Sequence, residues 1–253
     1  MSATRQQEIA RNLEQVRTRI ARAEARVGRP GGQVHLVAVS KTKPLSDIQA
    51  ALAAGQLDFG ENYAQELRDK RLAAQAAAAS DSSATTELGR LRWHFIGPLQ
   101  ANKAKYVAGH AALVHTVDSE ALMRELDRRT AAAGADRQDC LVQVNVAGEA
   151  QKSGVASADL PALLDAFAGF SHLRCVGLML IPPNASDPEA NRPHFRALLR
   201  LAEAQAGLPR ANVRWDPLQL SMGMSHDLEV AIEEGATLVR VGTAIFGARE
   251  RKE

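Results

Sequence analysis

Cysteine, long apolar runs and surplus charge of either sign are all scarce here, and each scarcity excludes something. Only Cys140 and Cys175 occur, each in an apolar, strand-like run, so buried reduced thiols are expected rather than reactive ones. Nowhere do about eighteen apolar residues run together, and the N-terminus lacks an apolar signal core, so no membrane association and a cytoplasmic location are expected. The sequon Asn184-Ala185-Ser186 would matter only in a secreted chain and reads as chance. The 31 basic and 29 acidic side chains nearly cancel; the basic ones are scattered, so no nucleic-acid partner is indicated. Neither G-x-G-x-x-G nor a P-loop is present. His110 and His115 have no H-E-x-x-H or cysteine cluster around them, so no metal site is expected. Ser40 and Lys43 form an S-x-x-K, but without companion S-D-N and K-T-G elements an acyl-serine enzyme is not indicated.

What is present is an orderly alternation. Ile9, Leu13, Val16, Ile20, Ala23 and Val27 recur at spacings of three and four, predicting an amphipathic helix over about residues 5 to 27, ended by Arg29-Pro30-Gly31-Gly32. Glu8, Glu14 and Glu24 argue against a transit peptide. Short apolar runs then begin at Val34, Leu57, Arg92, Leu113, Cys140, Leu173, Leu218 and Leu238, each followed by a segment of helical character such as Ser46 to Ala54 or Ala190 to Ala206. Eight such units within 253 residues predict an α/β fold, a single (β/α)8 TIM-type barrel with an additional N-terminal helix. Residues 1–32 form that helix and its turn, 33–247 the barrel, and 248–253 a tail. The Arg92 strand is partly polar and the least regular. Ala73 to Glu87 reads as a helix extension followed by a surface loop.

In a parallel barrel the strand C-termini open on one face, and side chains there converge. Lys41 follows the first strand, Glu61-Asn62 the second and Gly97-Pro98-Leu99-Gln100 the third. Asp118, Asn145 with Lys152, Pro182-Pro183, Ser221 to Ser225, and Arg240 to Thr243 complete the rim. A lysine there is either a solvated cation or an amine nucleophile. Its ordinary pKa of about 10.4 must be overcome, and low-dielectric walls favour the neutral amine. Lys43 has the same parity and is the rival, although Thr42-Lys43-Pro44 reads as an exposed turn. Ser225 is a plausible N-cap for a helix starting near Leu228, and Gly242-Thr243 begins a short helix after the last strand. The same backbone N–H groups and hydroxyls, at the ends of strands seven and eight, suit either routine capping or a phosphate.

Five motifs go further. Val37-Ala38-Val39-Ser40-Lys41-Thr42-Lys43-Pro44, Phe59-Gly60-Glu61-Asn62-Tyr63-Ala64-Gln65-Glu66, Trp93-His94-Phe95-Ile96-Gly97-Pro98-Leu99-Gln100, Leu220-Ser221-Met222-Gly223-Met224-Ser225 and Val239-Arg240-Val241-Gly242-Thr243-Ala244-Ile245-Phe246-Gly247 closely resemble the pyridoxal phosphate homeostasis proteins. Those are similar in turn to the N-terminal barrel of alanine racemase. The resemblance runs from about Val34 to Gly247 in order, although the Ala73 to Glu87 stretch looks longer than is usual in the family.

That resemblance implies pyridoxal 5′-phosphate held as an internal aldimine on Lys41. The phosphate would rest on Ser221, Met222 and Ser225 in one loop and on Gly242 and Thr243 in the other. Asn62 and His94 would lie near the ring, and Arg240 would face the pyridine nitrogen. An arginine there can donate a hydrogen bond but cannot keep that nitrogen protonated, which weakens the cofactor as an electron sink. The related racemase takes its second base, a tyrosine, from an additional β domain. Here the eight units use the chain, and only Tyr63 and Tyr106 are available. The expectation is a monomeric binding protein rather than an enzyme, storing or handing over the cofactor by exchange with incoming amines. Its implied partners are the cofactor, amino acids and pyridoxal-phosphate-dependent apoenzymes. A racemase on a bare barrel, and a phosphosugar enzyme using Lys41, are the alternatives.

Overall fold

The structure, a computed structural model, describes residues 3–80, 88–149 and 153–248. The predicted first helix is α1 (Ala3–Arg26), and it buries Ile9, Leu13, Val16, Ile20 and Ala23. The strands are β1 (His35–Val39), β2 (Asp58–Glu61), β3 (Arg92–Phe95), β4 (Leu113–Val117), β5 (Gln138–Asn145), a two-residue β6 (Val155–Ala156), β7 (Leu173–Met179), β8 (Gln219–Met224) and β9 (Leu238–Val241). Every pairing is parallel. β1 joins both β2 and β9, and β4 joins β5, so the sheet closes into a barrel, with β6 appended to β5. All eight strands read from the sequence are barrel strands. Around them lie α2 (Leu45–Ala53), α3 (Ala64–Ser80), α4 (Glu120–Ala132), α5 (Leu160–Ala166), α6 (Arg192–Ala206), α7 (Leu228–Glu233) and α8 (Thr243–Phe246). The helix extension expected from Ala73 is the second half of α3; the loop expected after it falls on residues 81–87, outside the described residues. Among the described residues, no helix is long and apolar enough to cross a membrane.

Period-two alternation divides the barrel into two cores. Leu36, Ala38, Leu220, Met222, Val239 and Val241 face outward into the large core beneath the helices, whereas Val37, Leu113, Leu141, Val176, Met179 and Leu238 form a small inner one. Polar side chains fill the rest of the lumen, and this explains the uneven third strand. Trp93 and Phe95 of β3 pack in the outer core, while His94, of opposite parity, faces inward to other polar groups. Cys140 and Cys175 are register partners on β5 and β7, both fully buried and free. Burial pushes the Cys175 thiol up to about 12, so it is an inert packing group.

At the C-terminal rim, the β2 and β3 ends approach unusually closely. A Cβ at Gly97 would lie 2.1 Å from the carbonyl oxygen of Asn62, so only glycine fits without backbone movement. Gly97→Ala is expected to destabilise the protein by about 1–3 kcal/mol, the scale of core overpacking, read as a lower denaturant midpoint.

Candidate functional site

Lys41 owes its position to the turn beyond β1. Val37, Val39 and Lys41 share one parity, so the lysine continues the inward row, and it lines a cavity of about 280 Å³ at the C-terminal mouth. The turn is held from behind. Ser40 Oγ donates to Glu61 Oε1 at 2.6 Å, and Lys70 Nζ donates to Glu61 Oε1 at 2.8 Å and to the Ser40 carbonyl at 2.7 Å. Lys70 also pairs with Glu66 at 2.7 Å, and Glu66 accepts from the Thr42 backbone N–H at 2.6 Å. Thr42 has φ of +64°, a left-handed conformation that disfavours a β-branched residue by about 1–2 kcal/mol. Both residues flanking Lys41 are therefore fastened, and the cluster outweighs the strain. Glu61 is fully buried, and burial raises its carboxyl above the ordinary range although the Lys70 charge opposes the shift.

Of the other expected site residues, Arg240, Ser225, Gly242 and Thr243 line the same cavity. Thr243 Oγ1 donates to Ser225 Oγ at 3.1 Å, so the loops after β8 and β9 meet through hydroxyls. Arg240 is almost fully buried, donating to Ser221 Oγ at 2.7 Å and to the Leu180 carbonyl at 3.0 Å. Burial lowers its pKa to about 10, with Asp227 opposing, so it remains a cation at neutral pH. Lys43, Met224 and His226 also line the cavity. Lys43 is half-buried and bonds the Ala248 carbonyl at 3.2 Å, so it is less exposed than its turn sequence predicted.

Five expectations need correction or refinement. The Ser221 hydroxyl is inside the barrel, bonded to Arg240 and, at 2.8 Å, to His115 Nδ1, and Ser221 does not line the cavity. The Met222 side chain packs in the outer core, which leaves only its backbone near the loop. His94 is not among the cavity's lining residues. It lines a pocket at the opposite mouth with Asp58 and Arg92. Asn62 stands on the C-terminal rim beside Gly97 but does not line the cavity. Ser225, finally, is not the cap of α7. Asp227 occupies that position, its carboxylate accepting from Met224 N at 2.7 Å and from Asn191 Nδ2 at 2.8 Å. Starting the helix two residues later leaves the Ser225 hydroxyl to the cavity. Lys152 lies outside the described residues.

The corrected histidine belongs to a polar thread along the lumen. His94 Nε2 meets Asp58 at 2.9 Å, its Nδ1 meets His115 Nε2 at 2.9 Å, and His115 continues to Ser221 and Arg240. Burial holds His115 well below the usual imidazole range, with His94 and Arg240 adding to the shift, so it is neutral. Burial alone would raise the Asp58 carboxyl, but bonds from His94 and Arg92 bring it below the ordinary value. When His94 is also neutral, each donor points the same way, from Arg240 through Ser221, His115 and His94 to Asp58. Sequence reading assigns no site role to Asp58, Lys70 or Glu66, and weighs His115 only as a metal ligand. The polar residues on β2, β3 and β4 at inward parity were the available signal.

Lys70→Met would leave Glu61 and Glu66 without their cation and is expected to destabilise by about 3–5 kcal/mol at neutral pH. A carboxyl with a raised folded-state pKa contributes stability that is fully present in acid and lost as pH rises through that pKa. The variant's deficit should therefore shrink on acidification. Denaturant midpoints at about pH 5 and about pH 8 test this; an equal deficit at both would mean that Glu61 is not the stranded charge.

The chain is similar to several known proteins. The family described as alanine racemase, N-terminal domain, matches residues 11–250. The pyridoxal phosphate homeostasis protein of Pseudomonas aeruginosa is 45% identical over 242 residues, covering 96% of each chain. That of Escherichia coli K12 is 44% identical over 244 residues, 96% of this chain and 97% of the relative. PipY of Synechococcus elongatus, solved with PLP bound, superposes with a TM-score of 0.74 at 34% identity, covering 94% of this chain and all of that one. With the barrel fold and near full-length similarity agreeing, the chain belongs to the alanine racemase N-terminal domain family and, within it, to the pyridoxal phosphate homeostasis proteins.

Proposed function

We propose that this chain binds pyridoxal 5′-phosphate at the C-terminal mouth of the barrel, as a Schiff base on Lys41, and serves intracellular vitamin B6 balance as a carrier rather than a catalyst. One observation carries the reading: a single small cavity gathers an amine, a buried guanidinium and a pair of hydroxyls on adjacent loops. Those groups suit an aldehyde, a ring nitrogen and a phosphate respectively. The cavity's 280 Å³ is near the lower end, about 300 Å³, for small-ligand pockets. The names of the curated relatives and the bound PLP of PipY support the same reading.

When bound, the cofactor supplies an electrophilic aldehyde that exchanges between amines. The residues govern how that aldehyde is held. Lys41 would provide the attachment, with the Glu61, Lys70 and Glu66 cluster steadying its turn. Ser225, Gly242 and Thr243 would take the phosphate, with the Met222 backbone beside them. Ser221 would act indirectly, by bonding Arg240. Arg240 uses two of its five N–H donors within the barrel, leaving donors for the ring nitrogen. It has no proton to surrender at neutral pH, which suits storage better than carbanion chemistry. Neither Tyr63 nor Tyr106 lines the cavity, so neither is the second base of a racemase in this arrangement. In this reading the chain acts as a monomer and passes the cofactor to apoenzymes or free amino acids.

Purified protein is expected to be yellow, and borohydride should fix the cofactor to the peptide containing Lys41. Lys41→Ala should lose the adduct, and an adduct elsewhere, or turnover of alanine by the purified protein, would overturn the reading. Thr243→Ala should weaken cofactor binding by about 1–3 kcal/mol, the scale of a charge-assisted bond, as measured by equilibrium titration.

A further inference from the structure

Three segments of chain line the cavity, and one helix outside the barrel grips all of them. Arg5, Asn12 and Arg19 of α1 are spaced by seven residues, nearly two helical turns, and so form one stripe. Arg5 Nη2 donates to Asp47 Oδ2 at 2.7 Å, in the first turn of α2 beyond Lys41, and to the Phe246 carbonyl at 2.9 Å. Asn12 Nδ2 donates to the Ile245 carbonyl at 2.9 Å. Arg19 donates to the Ser225 carbonyl at 3.1 Å and clasps both oxygens of Glu229 at 2.6 and 2.8 Å.

Anchoring α1 does not require these bonds. Its apolar seam, Ile9, Leu13, Val16, Ile20 and Ala23, is buried against the barrel and holds the helix by itself. The polar stripe is aimed instead at backbone carbonyls in the loops that carry Ser225 and Thr243. α8 is a four-residue helix, so its last carbonyls lack partners within the helix, and α1 supplies them. The Ser225 carbonyl has a further consequence. In a trans peptide the carbonyl and the following N–H point in opposite directions. Arg19, pulling that carbonyl outward, therefore turns the His226 N–H toward the cavity.

We propose that Arg5, Asn12 and Arg19 are positioning residues. Their stripe fixes the spacing of the loops after β8 and β9, and so sets how tightly this chain keeps a 5′-phosphate ester. The inference rests on the cofactor reading above and extends it to residues that touch no ligand.

The test compares pyridoxal 5′-phosphate with pyridoxal, which has the aldehyde and ring but no phosphate. Both are titrated into wild type, Asn12→Ala, Arg19→Met and the double variant, with circular dichroism confirming the fold. Each single variant should lower the ratio of the two affinities about fivefold, the equivalent of one lost hydrogen bond, and the double variant should lower it further. Pyridoxal affinity itself should stay constant, and Arg19→Lys should recover part of the loss. If wild type prefers the phosphate ester and the folded variants keep that preference, or weaken equally toward both ligands, the stripe is merely structural and the inference falls. If wild type shows no preference, the cofactor reading fails first. Asn12→Ala deletes a single bond from a half-buried side chain, so the comparison stands even if the double variant does not fold.

Discussion

The site depends on an ion pair that water does not reach. Glu61 is fully buried between the barrel and α3, where an isolated carboxylate would be several kcal/mol worse than in solvent. Lys70 makes it tolerable by lying 2.8 Å away, and the same ammonium also bonds the carbonyl of Ser40. The charge balance of α3 and the path of the chain beyond β1 are thus one problem with one solution. A neutral packing of similar volume would be at least as stable, but it would remove the two bonds that fix Ser40 and the cation that holds Glu66 against the Thr42 N–H.

A second division of labour runs across the sheet. The outward faces of the strands carry the apolar burial, while the lumen is shared between six apolar side chains and a polar thread. Ser221 is the hinge between these regions. Its hydroxyl accepts from Arg240 and meets His115, so the orientation of the guanidinium at the upper mouth is tied to an imidazole deep in the barrel. Low dielectric strengthens each link of such a thread.

Most of the architecture was legible because parallel barrel strands are buried on both faces and announce themselves as short Val, Leu and Ile runs. Even β3 was found, and its irregular composition is the inward parity of Arg92 and His94 against the outward parity of Trp93 and Phe95. Lys41, Arg240, Ser225, Gly242 and Thr243 were legible as strand-end residues that a barrel must bring to one mouth. Parity separated the rest. Ser221 and His94 belong to the right segments, but their side chains point down the lumen, and Met222 points out of it. Lys70, Glu66 and the α1 stripe were hidden for another reason: their roles come from partners distant in the chain, and a lone charge on a helix face reads as solvated.

The bonds from α1 to the last loops join residues 206 to 241 positions apart. The helix is therefore synthesised long before the carbonyl partners it holds. β1 likewise waits for β9, its neighbour in the closed sheet. A growing chain that has not yet reached β9 therefore has an unclosed sheet edge and an apolar helix stripe with part of its docking surface missing. Such contacts, remote in sequence, slow folding and leave aggregation-prone surface exposed until β9 and α8 emerge. The arrangement that completes the mouth makes its completion wait for β9 and α8 to be translated.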